Sequence, residues 1–520
     1  MTAVDAVALL LAVAGTVAGS LRWLRVAQRE HYLAGETSRF AWRWWRSAAD
    51  NAGLALLGLA GAAVAVAVPP VAVLPAAVAG AAPLRLPLRG RTGRLAWTRR
   101  LSTLAVVTLL LEVVAIGAGW IGGGNRGALI AAGFTALAVP MVVDVALVLT
   151  RPAEDVVARK FVRDARGRLE RVRPRVVAVT GSYGKTTTKG YIAHLVSPFL
   201  TTLPSPKSFN NRAGLARTVN EHLGPATEVF VAEMGTYGPG EIAAMCSWVR
   251  PEISVITAIG PAHLERFKSL DRTLAAKAEI CETASVVVLN VDDARLLGLV
   301  PTLRGAGKKV VEASGSNEVA DVSVLASEEG LELRVGGHRV GAASVPQSDL
   351  PTALTNVACA AAVAIELGVP PEDVLARLVS LPVPANRLQR YVADGGYVVF
   401  DDTFNSNPTG ALIGLSRLKS EPTVSTGGRR VVVTPGMVEL GPIQHEENAA
   451  LGESAARVAD HVLVIARTNR AALLEGAAAA EDPGRVMTVD RLDQALDWVR
   501  ANLGPGDAVL YENDLPDHFP

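Results

Sequence analysis

At 520 residues the chain is too long for a single hydrophobic core, so at least two domains are expected. Its 51 basic side chains nearly cancel its 50 acidic ones, and a net charge of +1 gives no footing for a nucleic-acid partner. The three cysteines, Cys246, Cys281 and Cys359, are far apart with no C-x-x-C pair, which argues against structural zinc and against a disulfide framework.

The first 150 residues carry nearly all of the long apolar runs. Five membrane spans are expected, at roughly 4–21, 52–68, 70–84, 103–122 and 127–149, since about 20 apolar residues cross a hydrocarbon core. The second and third are short and divided only by Pro69-Pro70, so a re-entrant pair is the alternative there. No basic region precedes the first run and further spans follow it, which is not the pattern of a cleaved signal peptide. Arg22, Arg25, Arg29, Arg39, Arg43 and Arg46 stand between the first two spans. Arg85, Arg89, Arg91, Arg94, Arg99 and Arg100 stand between the third and fourth, and the other linkers hold only Arg126. By the positive-inside tendency both basic loops face the cytoplasm of a bacterium. The amino terminus is then outside, and everything after Arg151 is inside. Trp23, Trp42, Trp44 and Trp45 suit an interfacial belt, whether it recognises anionic membrane lipids or only anchors. Glu112 and Asp144 lie inside spans, where they either meet a polar lipid head or pair within the bundle.

Residues 151–175 form a basic connector carrying Arg159, Lys160, Arg163, Arg166, Arg168, Arg171, Arg173 and Arg175. A helix against the inner leaflet and a solvated linker are both open there. From 176 onward short β-branched runs alternate with helical stretches, the pattern of a parallel sheet covered by helices, with strands expected at 229–232, 253–258 and 286–289. The run Val176-Val177-Ala178-Val179 enters Gly181-Ser182-Tyr183-Gly184-Lys185-Thr186-Thr187, and a helix is expected from Thr186 to Val196. Strand, glycine turn and helix start are the context of a phosphate loop. Its backbone amides would hold phosphate oxygens of ATP, Lys185 would reach the outer phosphates, and Thr186 would ligate magnesium. The spacing is the shorter G-x-x-G-K-T-T, with Val179 where the longer phosphate-loop pattern has a glycine. Glu233 closes the strand run 229–232, His263 precedes Leu264-Glu265, and Lys277 follows Ala275-Ala276. Each alone also reads blandly, as a salt-bridge partner, a packed histidine and a helix-surface lysine.

Taken in order, the motifs are T-G-S-Y-G-K-T-T-T-K (180–189), F-N-N-R-A-G (209–214), E-M-G-T-Y-G-P-G-E-I-A (233–243), A-H-L-E-R-F-K-S-L (262–270) and A-A-K-A-E-I (275–280). L-N-V-D-D (289–293), T-N-V-A-C-A (355–360), N-R-L (386–388), D-D-T-F-N-S-N-P (401–408) and G-M-V-E-L-G (436–441) follow. Over about 176–510 the chain resembles the Mur ligases, ATP-dependent amide-forming enzymes of peptidoglycan precursor synthesis, and within them the branch that adds D-alanyl-D-alanine. The apolar runs give a multi-span α-helical membrane domain (1–150) followed by the connector (151–175), and the resemblance implies an α/β Mur ligase central domain with a P-loop and parallel sheet (176–380) and a Rossmann-like α/β C-terminal domain (381–520). It implies that Gly181, Ser182, Gly184, Lys185, Thr186 and Thr187 bind ATP, that Thr186 and Glu233 hold one Mg2+, and that His263 holds a second. Lys277 matches the position that family members carbamylate, which turns a cation into a magnesium-binding anion. Asn290 would meet the adenine, Arg387 and Asp402 would close over the nucleotide, and Asn210 and Asn211 would position acceptor or phosphates. Asn405 and Asn407, before Pro408, are either substrate contacts or turn residues. The implied reaction passes a carboxylate through an acyl phosphate to an amide. It brings two anions together, which explains the need for Lys185 and magnesium.

Two departures stand out. Cell-wall ligases carry a soluble N-terminal domain that grips a UDP-linked substrate, and here the apolar spans occupy its place, so the acceptor is expected to be lipid-linked rather than UDP-linked. At the carboxyl terminus, Tyr511-Glu512-Asn513-Asp514-Leu515-Pro516-Asp517 replaces a lysine-glycine-serine-arginine stretch, and Gly436 replaces an aspartate. Glu512, Asp514 and Asp517 would favour a cationic amine or merely cap the terminus. The rival readings are a poly-γ-glutamate or capsule-type amide ligase and a non-catalytic membrane scaffold that keeps a nucleotide-binding fold. An amidotransferase-coupled relative would need four zinc-binding cysteines, and the chain has three.

Overall fold

The computed structural model describes all residues except 1, 47, 85, 87–88, 91–92, 207–208, 347–349, 352, 383–386, 405, 422–423, 425–426, 481–485 and 516–520. The amino-terminal region is a helical bundle of α1 (Ala3–Arg29), α2 (Glu36–Arg46), α3 (Ala49–Ala67), α4 (Val73–Ala81) and α5 (Arg99–Val172). A two-residue ribbon of β1 (Arg89–Gly90) and β2 (Gly93–Arg94) precedes α5. Three of these helices, α1, α3 and α5, are long and apolar enough to cross a membrane by length and composition. The apolar helical stretch Pro69–Ala81 is shorter than that. Helix α5 is two helices in one. Gly123 and Gly124 leave helical geometry (φ −149° and 57°), and Gly119 packs against Gly127, which a straight helix would hold about 12 Å apart. The chain therefore reverses there, and the two apolar runs read from sequence in this stretch are antiparallel neighbours.

Polar contacts mark the two ends of the bundle. At one end Gln28 donates to Ala96 O at 2.8 Å and Arg100 pairs with Glu154 at 3.8 Å, while at the other Arg126 donates to Ala67 O at 3.3 Å. Both basic loops and the start of the connector thus share an end. The two acids inside the apolar runs pair within the bundle. Glu112 accepts from Ser20 Oγ at 2.6 Å, and Asp144 caps the start of α2 by accepting from Ser38 N at 2.8 Å and Thr37 N at 3.3 Å.

The connector is neither a separate surface helix nor a loose linker. It continues α5, because Val162, Ala165 and Leu169 recur at i, i+3 and i+7 and bury against Leu215, Val219 and Leu223 of the next domain. Arg168 fixes this join by donating to Leu223 O at 2.7 Å and Asn220 O at 2.8 Å.

The middle domain is a nine-stranded sheet in the order β11-β10-β9-β8-β7-β6-β3-β5-β4. Its strands are β3 (Arg175–Thr180), β4 (Thr202–Pro204), β5 (Val229–Glu233), β6 (Ile253–Ile256), β7 (Val286–Asn290), β8 (Lys309–Ser314), β9 (Val322–Ser327), β10 (Gly330–Val335) and β11 (His338–Ser344). Strands β4 to β9 pair in parallel; β9, β10 and β11 form an antiparallel edge. The alternation of β-branched runs and helices predicts a parallel sheet only. The antiparallel edge arises at Gly336 and Gly337, both at positive φ between Val335 and His338, which make a tight hairpin turn. Alternate residues of β3 feed two cores: Val177 and Val179 face α6 (Lys185–Val196) and the helix Leu354–Glu366, while Val176 and Ala178 face α7 (Arg212–His222), α8 (Glu241–Val249) and the end of α5.

The third domain holds β12 (Gln389–Val392), β13 (Val398–Asp402), β14 (Arg430–Thr434), β15 (His461–Ile465), β16 (Val486–Val489) and β17 (Ala508–Glu512), ordered β12-β13-β17-β14-β15-β16. Strand β12 is antiparallel to β13, and the other described pairs are parallel.

Candidate active site

The carboxyl ends of β3, β5, β6 and β7 lie side by side, with Val179 in register with Glu233 and Thr180 with Ile256. This edge is where an open α/β sheet presents its polar residues. The chain leaves β3 through Gly181 (φ 152°) and enters α6 through Gly184 (φ 81°), conformations that side chains resist. A Cβ on Gly181 would strike Thr257 Oγ1, and one on Gly184 would strike the Asn356 amide. The loop is therefore glycine-dependent on steric grounds, and its amides end at the positive start of α6.

Glu233 is the hub. Its carboxylate accepts from Thr186 Oγ1 at 3.1 and 3.0 Å, from Lys189 Nζ at 2.8 Å and from Asn210 Nδ2 at 3.3 Å. Burial alone would raise its pKa, but Lys189 and then Lys185 outweigh this and hold it below the usual carboxylate range. Lys185 Nζ folds back on Gly181 O at 2.7 Å and Ser182 O at 3.2 Å, and Lys277 Nζ reaches the same Gly181 carbonyl at 3.1 Å. Burial pulls Lys185 down to about 8. Burial, with Lys185 nearby, pulls Lys277 well below the ordinary lysine value. Burial thus works against the charged form of Lys277 and toward the free amine, the form that adds carbon dioxide.

Beside the loop opens a cavity of about 630 Å³, a size that suits a small-molecule ligand. Gly184 and Thr187 of the loop, Asn290 of β7 and Asn356 line one side, and Arg387 and Asp402 of the third domain line the other. Leu388 N donates to Asp402 Oδ1 at 3.1 Å, and Arg387 lies 4.4 Å over the Phe404 ring. Burial, opposed by Arg387, raises the Asp402 carboxyl. Asn290, Arg387 and Asp402, which come from two domains, converge on one cavity.

His263 stands outside the cavity wall. It has φ 57° and begins the single-turn helix α9 (Leu264–Phe267), and its Nδ1 faces the Glu439 carboxylate. That pairing leaves Nε2 available to a metal, as carboxylate-oriented histidine ligands are arranged. The Thr186 hydroxyl and the Glu233 carboxylate suit magnesium, which takes oxygen ligands and relies on substrate phosphates for the rest. Among the described residues no three His, Cys, Asp or Glu side chains gather as a ready-made metal cage.

Several sequence-derived roles need correction. Ser182 spends its side chain on Gly260 (Oγ to O 3.1 Å, and accepting from Gly260 N at 2.9 Å) and its own N–H on Ala258 O at 2.7 Å, so it shapes the loop instead of holding phosphate. Asn211 caps α7 by accepting from Gly214 N at 2.9 Å and is not turned to the site. Asn290 lines the cavity but commits its amide to Thr257 O at 2.7 Å and Asp292 N at 2.9 Å. Glu512 is fully buried at the end of β17, bonded to Ser406 Oγ and packed on Gly414, so it offers no surface charge to an incoming amine. Asp514 is only partly exposed, its N–H donating to Asn513 Oδ1 at 2.9 Å. Asn407 caps the helix Pro408–Lys419 and also lines the cavity. Asn405, Asn386 and Asp517 lie outside the described residues. Conversely, the sequence reading assigned nothing to Lys189, Asn356 or Glu439. Only Lys189 carried a signal, four residues after Lys185 and hence on the same face of α6.

Comparison with known proteins agrees with this arrangement. Residues 179–364 match the model of the Mur ligase middle domain, and 386–511 match that of the Mur ligase, glutamate ligase domain. The UDP-N-acetylmuramoyl-tripeptide–D-alanyl-D-alanine ligase of Mycobacterium tuberculosis is 32% identical over 372 residues, covering 64% of this chain and 69% of that protein. The enzyme of the same name from Bacillus subtilis is 29% identical over 355 residues, covering 67% and 75%. A crystal structure of MurF from Acinetobacter baumannii superposes with TM-score 0.56 at 26% identity, covering 68% of this chain and 76% of that one. The Thermotoga maritima MurF in complex with ADP has the same fold (TM-score 0.57, 24% identity, covering 69% and 80%).

Proposed function

The chain belongs to the Mur ligase family, and on that premise we propose that it joins the carboxyl group of a lipid-linked, peptidoglycan-type precursor to an amine at the cytoplasmic face of a bacterial membrane. It is an ATP-dependent ligase; what is proposed is the substrate form, the place and the residue roles. The acceptor carboxylate attacks the γ-phosphorus of ATP, the bond to ADP breaks, and the amine then attacks the acyl carbon and expels phosphate, leaving an amide. Lys185 would neutralise the outer phosphates, and Arg387 and Asp402 would hold the nucleotide from the third domain. Thr186 and Glu233 would hold one magnesium ion and His263, oriented by Glu439, a second. Magnesium supplies the positive charge that lets two anions meet. Lys277, buried with its Nζ at 3.1 Å from Gly181 O, is the proposed site of carbamylation.

The observation that carries the lipid-linked reading is the position of the helical bundle. Its basic end touches the ligase domains beside His263, with Arg43 donating to Glu265 at 3.2 Å, and three of its helices have membrane-spanning length and apolarity. An acceptor held at a bilayer surface would reach the site from that side. The relatives' names favour a second reading, in which the acceptor is soluble UDP-N-acetylmuramoyl-tripeptide and the amine is D-alanyl-D-alanine. Full-length protein in nanodiscs, given ATP, an amine and the same peptide on either a polyprenyl-pyrophosphate or UDP, separates the two. We expect amide formation at least tenfold faster on the lipid-linked acceptor. Equal or faster turnover of the UDP-linked one, retained after removal of residues 1–150, would reject the lipid-linked reading.

A further inference from the structure

The helical bundle does more than sit near the ligase: one turn of it touches the support of His263. Between α1 and α2, Glu30 pairs with Arg266 at 3.0 Å, with side chains 8% and 14% exposed. His31, the next residue, stacks on Tyr237 at 4.8 Å between ring centroids, and its Nε2 lies 2.9 Å from the Tyr237 hydroxyl. Tyr237 in turn meets the His263 ring edge-on at 5.1 Å, and the Arg266 guanidinium covers its face at 4.8 Å.

These contacts bear on a strained segment. His263 and Lys268 both have positive φ (57° and 69°) and bracket α9, a conformation that persists only where the surroundings enforce it. The third domain supplies one support, as Glu265 N donates to Glu439 O at 3.2 Å and Glu439 holds His263 Nδ1. The helical bundle supplies the other, through Glu30, His31 and Arg43. The turn 263–268 is therefore clasped between two domains that approach it from separate parts of the chain.

We infer that Glu30 and His31 are positioning residues for the catalytic centre: through Arg266 and Tyr237 they fix the ring of His263 for its metal, so that the helical bundle is a working part of the ligase and not only an anchor. This rests on the proposed role of His263 as a magnesium ligand. Glu30 holds the Arg266 guanidinium over the Tyr237 face, and the Tyr237 ring, packed by His31 and Arg266, restricts the imidazole that meets it edge-on. Loss of either hold leaves the imidazole with Glu439 as its remaining support and loosens it without removing any group that touches substrate.

The test uses full-length protein in nanodiscs and Mn2+ as a spectroscopic stand-in for Mg2+, titrated by electron paramagnetic resonance with a non-hydrolysable ATP analogue present. Four variants are compared: Glu30→Gln, His31→Ala, His31→Gln and His263→Ala. We expect Glu30→Gln and His31→Ala to weaken the weaker class of Mn2+ by about tenfold, the scale on which groups that orient a metal ligand act. The Mg2+ concentration for half-maximal ATP turnover should rise by the same factor, while turnover at saturating Mg2+ stays near wild type. His31→Gln, which can still hydrogen-bond Tyr237, should bind Mn2+ as wild type does, and adding His31→Ala to His263→Ala should cost nothing further. Wild-type Mn2+ binding in Glu30→Gln and His31→Ala, alongside weakened binding in His263→Ala, would overturn the inference and leave the metal assignment standing. Wild-type binding in His263→Ala would overturn the metal assignment and the inference with it.

Discussion

A Lys185→Met variant is expected to form amide at least a hundredfold more slowly than wild type while melting no earlier. The two effects separate because this ammonium group contributes to catalysis and not to the fold. Its hydrogen bonds go to the Gly181 and Ser182 carbonyls of its own loop, and burial already pulls its pKa down to about 8. Removing a buried charge held by two carbonyls leaves the folded state little worse off, and methionine fills a similar volume. In the reaction the same charge opposes the negative charge gathering on the transferred phosphoryl group, where loss of one such contact costs about 10²–10³ in rate. The protonated form is the one that binds phosphates, so ATP binding above pH 8 must take up a proton. The KM for ATP should therefore be flat below about pH 8 and rise by up to about tenfold per pH unit above it. Steady-state kinetics between pH 7 and 9.5, with a thermal melt of the variant, checks both parts. A KM that falls with pH, or a variant that keeps a tenth of the wild-type rate, would contradict the role given to Lys185.

Glu233→Ala should damage stability and catalysis together. The Glu233–Lys189 pair is buried on both sides, with side chains 3% and 6% exposed. Deleting the acid strands the lysine charge inside the domain at a cost of about 3 kcal/mol or more, equivalent to a fall of about 6–12 °C in melting temperature for a domain of this size. A Lys189→Met, Glu233→Gln double variant removes both charges and should recover most of that loss. It should not recover activity, because Glu233 also meets Thr186 and Asn210 at the mouth of the phosphate loop. Calorimetry on the single and double variants decides the point. If the double variant melts as low as Glu233→Ala, the pair is not what stabilises this part of the sheet edge.

What could be read from the sequence divides along physical lines. The phosphate loop was legible because its chemistry is local: two glycines, a lysine and two threonines within seven residues, between a β-branched run and a helix start. Glu233 was legible as the end of a β-branched run, and Arg387 and Asp402 came from motifs, not from spacing. Asn356 and Glu439 lay inside quoted motifs, but only tertiary packing brings them to Gly184 and His263. Glu512 misled for a related reason. Strand β17 lies in the interior of its sheet, between β13 and β14, and all five of its residues are buried, so an acid near the carboxyl terminus reads as surface and folds as core. In the amino-terminal half, hydropathy located the apolar runs but could not say that α5 continues through the connector into the ligase core. That depends on Val162, Ala165 and Leu169 finding Leu215 and Val219.

The most direct test of the ligase account is product analysis on the purified full-length protein with ATP, a precursor carboxylate and no amine, with hydroxylamine added as a trap. The account predicts ADP and phosphate in equal amounts, together with a hydroxamate of the precursor, since an acyl phosphate is intercepted. Release of AMP and pyrophosphate, or ATP hydrolysis at the same rate whether or not the carboxylate is present, would contradict it.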